Sequence, residues 1–68
     1  MTFDVTLWRD EDSQVIVECP VIPGCVSQGA TEDEALENIR LAIRECLAVR
    51  REAGQPPTIE IRHVEVPV

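Results

Sequence analysis

The stretch TEDEALENIRLAIRECLAVRREA, residues 31–53, decides how the rest of this chain must fold. Thr31 and Glu34 form a T-x-x-E capping box, in which side chains satisfy backbone N–H groups that the first helical turn leaves without partners. Glu32, Asp33 and Glu37 put negative charge near the positive end of the helix dipole. Arg44, Arg50 and Arg51 put positive charge toward its negative end. Gly54, then Pro56 and Pro57, supply a stop. At about 100° per residue, Ala35, Leu36, Ile39, Ala42, Ile43, Cys46, Leu47 and Val49 gather on one face. The pattern predicts a helix over roughly Thr31 to Ala53 with that face buried. Leu41 falls on the opposite face among Glu37, Arg44, Glu45 and Ala48. A lone exposed Leu is usually unremarkable, but it is the helix position that offers a partner contact.

An apolar helix face needs a sheet to cover it, and the sequence before the helix supplies strands. Phe3, Val5 and Leu7 alternate with Asp4, Thr6 and Trp8, the period of a strand with one buried face. The run Asp10, Glu11, Asp12, Ser13 breaks that pattern, and Val15, Ile16 and Val17 restart it, so these two strands read as a hairpin with an acidic turn. Pro20 ends the second strand because it has no N–H to give to a ladder. Pro20, Pro23 and Gly24 make the next connection rigid and irregular. A short third strand follows at about Cys25 to Gln28, with Gly29 as its exit into a sharp turn.

After the helix, Ile59 and Ile61 alternate with Glu60 and Arg62, and Val64 and Val66 continue out of phase. The segment Thr58 to Val68 reads as a last strand with a bulge or a change of face. The expected architecture is α+β, in the order β-β-β-α-β. Hairpin connections make the first three strands a meander, and a right-handed crossover through the helix places the fourth beside the first. The result is a four-stranded mixed sheet of order 3-2-1-4, with the helix on one face and Trp8 on the other. The third and fourth strands are then its open edges, and the apolar fourth carries little charge to guard one.

Size and charge bound the function. The chain has 68 residues, enough for one domain over residues 1–68, and a domain this small buries only about 60% of the surface its unfolded chain exposes. That thin core and the open edges point to a homodimer or larger closed oligomer. Net charge is −7, and nine acids but only Arg9 lie in residues 1–39. Phosphate binding needs the opposite sign, so direct binding of nucleic acid by this chain alone is not expected. An acidic surface suits a basic protein partner. No apolar run approaches the ~20 residues of a membrane span, and no signal segment opens the chain. Cys19, Cys25 and Cys46 fit no disulfide framework, which suits reduced thiols and a cytoplasmic location.

Three segments resemble the N-terminal domain of HicB-like antitoxins: the turn Asp10-Glu11-Asp12-Ser13; the connection Pro20-x-x-Pro23-Gly24-Cys25-x-Ser27-x-Gly29; and the helix start Thr31-x-x-Glu34-Ala35-Leu36-x-Asn38. The resemblance runs from about Phe3 to Val66. Val21 and Ile22 stand where that family often has an acid between the prolines, and Val15 where it often has an aromatic. The resemblance implies a truncated ribonuclease-H-like fold and a protein that binds and blocks a HicA-like toxin, a small RNA-cleaving protein. Many HicB proteins also carry a C-terminal DNA-binding domain, for which these residues hold no segment.

The sequence also admits chemical readings. Asp4, Glu37 or Glu45, and Glu60 are the acids that could hold divalent ions for nuclease chemistry, but their pattern positions scatter them over solvent faces. Cys19, Cys25, Cys46 and His63 are zinc-ligand types without the tight spacing of a zinc site. Neither catalytic residues nor a metal or other cofactor are expected. The expected function is an antitoxin-like binding module, not an enzyme, that sequesters a small basic ribonuclease. Trp8, Asp10, Glu11, Asp12 and Leu41 are the partner-binding candidates. A stand-alone regulatory or structural homo-oligomer is the second reading, and a weak metal-dependent nuclease the third.

Overall fold

The computed structural model describes all residues, Met1–Val68. Three strands and a helix form, in the order β1 (Thr6–Arg9), β2 (Val15–Glu18), β3 (Val26–Gly29) and α1 (Glu32–Glu52). The sheet is an antiparallel meander with β2 in the middle. Its register pairs Leu7 with Val17 and Trp8 with Ile16 on one side, and Ile16 with Gln28 and Val17 with Ser27 on the other.

Each connection has its own closure. Between β1 and β2 the Asp10 carboxylate accepts from the backbone N–H groups of Asp12 and Gln14, both at 2.9 Å. Ser13 there adopts the left-handed region at φ 63°, and the Arg9 guanidinium donates to its carbonyl. Asp10 is therefore the clasp of the hairpin as well as an acid. Between β2 and β3 the Cys19 N–H donates to Cys25 C=O, Ile22 N–H to Cys19 C=O, and Cys25 N–H to Ile22 C=O. These bonds fold the proline-rich connection over so that Ile22 enters the core. Gly24, at φ 77°, provides the left-handed step.

The helix begins where Thr31 Oγ1 accepts from Glu34 N–H, one half of the predicted box. It ends as a Schellman motif: Gln55 N–H donates to Arg50 C=O and Gly54 N–H to Arg51 C=O, with Gly54 at φ 72°. Val15, Val17, Cys19, Ile22, Cys25, Ala35, Ile39 and Ile43 form the core, with Leu36, Ala42, Cys46 and Leu47 partly buried around it. Val49 corrects the predicted face. It is exposed, because the helix lies over β3 and β2 only and makes no close approach to β1. Gly29 ends β3 and the chain bends directly after it, without a positive φ at the glycine. It has no side chain because the helix start packs directly on it.

The expected fourth strand does not form, so the four-stranded mixed sheet of order 3-2-1-4 is replaced by a three-stranded antiparallel sheet. The open edges are β1 and β3. Of the segment Thr58 to Val68, the sole backbone hydrogen bond runs from Ile59 N–H to Val21 C=O at 2.8 Å. That bond roots the tail at the β2–β3 connection. Ile61, Val64 and Val66 are exposed. The radius of gyration, 13.7 Å, exceeds the ~11 Å of a compact chain this long, as a projecting tail requires. No helix is long and apolar enough to cross a membrane.

Candidate functional site

Alternation along the strands sorts the sheet into two faces. Val15, Val17 and Cys19 are buried, so Ile16 and Glu18 between them point away from the helix. The register then places Thr6, Trp8, Val26 and Gln28 on the same outward face. Trp8 is 47% exposed and Val26 48% exposed. Trp8 stands across from Ile16, a cross-strand pair on the outward face. No element of the chain covers this face.

An acidic pole adjoins it. Asp10, Glu11 and Asp12 follow directly on β1, and the Val15–Gly29 pairing brings the end of β3, and so Glu32, Asp33 and Glu34, to the same end of the sheet. The molecule's ion pairs are Arg40 with Glu37 and Arg62 with Glu60, so the acids of this pole have no cationic partner. Arg9, the cation nearest in sequence, is turned to the Ser13 carbonyl. The structure therefore brings Trp8 together with Asp10, Glu11 and Asp12 along one continuous stretch. Leu41 is 52% exposed on the outer side of the helix, away from the sheet, and does not join them.

The three cysteines converge, which their spacing did not reveal. Cys19 and Cys25 are fully buried and paired through their backbones, and Cys46 on α1 packs beside Cys25. Burial, reinforced by that contact, pushes the Cys25 thiol up to about 12. Burial also raises Cys19, against the lowering effect of hydrogen bonds from the Val21 and Ile22 backbones. Such thiols stay protonated at neutral pH and act as small apolar wedges. His63 is exposed on the tail. No three His, Cys, Asp or Glu side chains, whether Asp4, Glu37, Glu45 and Glu60 or the cysteines, gather in an arrangement that could hold a metal ion.

No protein-family profile matches the chain, and no solved structure matches it. Among curated proteins it is 48% identical over 44 residues to a UPF0150 protein of Thermoplasma acidophilum, covering 65% of this chain and 64% of that one. It is 49% identical over 45 residues to a UPF0150 protein of Synechocystis, covering 66% of this chain and 65% of that one. These two matches span just under two thirds of the relatives' length. With a UPF0150 protein of Archaeoglobus fulgidus the identity is 33% over 66 residues, 97% of this chain and 96% of that one. The shared name states no activity, ligand or partner. On the strength of that end-to-end match, the chain belongs to the UPF0150 family.

Proposed function

We propose that this domain is an antitoxin-like protein-binding module that sequesters a small, basic, RNA-cleaving protein. The observation that carries the reading is the uncovered sheet face, where Trp8 and Val26 stand half-exposed beside an acidic pole without counter-charges. A ribonuclease must hold positive charge to bind phosphates, and an acidic surface laid over that charge excludes the RNA. Complementary charge speeds encounter and fixes orientation, while a desolvated aromatic sets the lifetime of the complex. The HicB-like segments agree with this use of the fold. Three reduced thiols are consistent with work in a reducing compartment such as the cytoplasm.

The test is direct titration of a HicA-like ribonuclease with the protein, following both heat of binding and RNA cleavage. Stoichiometric inhibition that weakens at least about tenfold with Trp8→Ala is expected of this reading. Cleavage that continues undiminished at saturating protein would remove it. The second reading, a stand-alone homo-oligomer with no toxin, is favoured by the unpaired apolar tail. The third, a metal-dependent nuclease, lacks a cluster of carboxylates to support it.

A further inference from the structure

Because α1 covers β3 and β2 but not β1, the flank of its C-terminal half is left open. A cleft of about 600 Å³ lies there, lined by Met1, Arg44, Leu47, Ala48, Arg51 and Pro57 among others. Leu47 and Ala48, both partly buried, provide an apolar floor. Arg44 and Arg51 are seven residues apart, so they share one side of the helix. Neither is in an ion pair or a side-chain hydrogen bond. In a chain of net charge −7, this is a local positive rim around an apolar floor.

The tail carries the complementary features. Residues 60–68 have no backbone hydrogen bond to any part of the chain. Val64 and Val66 are 81% and 67% exposed, with Glu65 between them. An extended segment puts Val64 and Val66 on one side and Glu65 on the other. No residue of the tail beyond Pro57 lines the cleft, and the Ile59–Val21 bond roots the tail at the β2–β3 connection. From that root, nine extended residues reach about 30 Å, enough to leave the protomer.

We infer that the cleft of one protomer receives the Val64–Val66 segment of a second copy of this chain. The two valines sit on Leu47 and Ala48, and Glu65 lies at the rim, within the sweep of the Arg44 and Arg51 guanidinium groups. Cleft and tail are different patches of one surface, so a two-fold axis lets each protomer give one tail and accept one, closing the pair. A single tail in a single cleft falls short of the ~1,200–2,000 Å² that stable interfaces bury, and the reciprocal contact doubles the area, as suits a weak, micromolar dimer. The same pairing withdraws the exposed valines from water. This inference is independent of any toxin, since it uses neither Trp8 nor the acidic pole.

The experiment is sedimentation equilibrium of the full chain at about 100 μM, a concentration that populates a micromolar dimer, beside the variant Val64→Asp/Val66→Asp. The tail gives nothing to the protomer core, so the variant should fold, which its far-UV circular dichroism checks. The parent should sediment at twice the chain mass and the variant at the monomer mass. Arg51→Glu should weaken the dimer about tenfold, the size of one partly buried charge contact, and Glu65→Arg in the same chain should restore it. The inference is overturned if the parent is monomeric or if the tail variant keeps the dimer mass. It is equally overturned if the valine changes lower the thermal midpoint of a monomer, because the tail would then occupy its own cleft.

Discussion

Gly29, the last residue of β3, lies so close to Ala35 in the first turn of α1 that a Cβ built on it would sit 2.6 Å from the Ala35 backbone nitrogen and 2.9 Å from the Glu34 carbonyl carbon. Both neighbours are backbone, which cannot swing aside as a flexible side chain can. The contact sets how tightly the helix docks on the sheet.

Gly29→Ala is therefore expected to destabilise the domain by about 1–3 kcal/mol, the range for forcing extra volume into a packed site. Urea unfolding reads the change. A midpoint equal to the parent's would mean that the helix start can lift off β3 without loss.

Helix phase gives a second, paired expectation. Ile39 is 2% exposed and Val49 64% exposed. Truncating Ile39 to Ala should cost about 2–5 kcal/mol, which a domain with so thin a core has little room to absorb. Val49→Ala should stay within about 0.5 kcal/mol of the parent. Thermal melts of the two variants in parallel check the pair, and equal losses would put the helix in a different rotation.

The buried thiols predict an alkaline limit. The Cys25 pKa rises from an ordinary 9.0 to about 12 in the folded protein, so the folded state retains a proton that the unfolded state gives up. Between those values the unfolded chain binds fewer protons, and stability falls as pH rises. Below pH 9.0 the contribution is fully present. Denaturant midpoints should be flat up to that point and decline above it, and the decline should be smaller in Cys25→Ala. Thiol reagents should react slowly with Cys19 and Cys25 until the protein is unfolded.

The acidic turn should divide into two kinds of residue. Asp10→Ala removes the acceptor of two backbone N–H groups and should cost roughly 1 kcal/mol of stability. Glu11→Lys with Asp12→Lys touches no such bond and should leave the melting curve near the parent's. It should instead slow association with a basic partner and flatten its salt dependence. Stopped-flow association at two salt concentrations measures the second effect, and an unchanged rate would remove these two acids from the interface.

Local chemistry made part of this protein legible in the sequence. The helix was readable because its period, its Thr31 cap, its end charges and its Gly54 stop are all short-range features that agree. The hairpin turn and the proline-rich connection were readable for the same reason. Trp8 could be assigned to the uncovered face because strand alternation is a rule of the backbone.

Only the tertiary structure decided the rest. Ile59 and Ile61 alternate as a strand does, but alternation reports which side of a segment is apolar and says nothing about whether a partner strand lies beside it. Pairing depends on where the helix delivers the chain, and the Ile59–Val21 hydrogen bond delivers it to the β2–β3 connection. Val49 was misplaced because periodicity describes an apolar arc without the width of the sheet beneath, and here the helix covers two strands of three. Cys19, Cys25 and Cys46 met for a similar reason. Their spacing is irregular in sequence, and it took the folded connection and the fourth turn of the helix to bring the three residues into one neighbourhood.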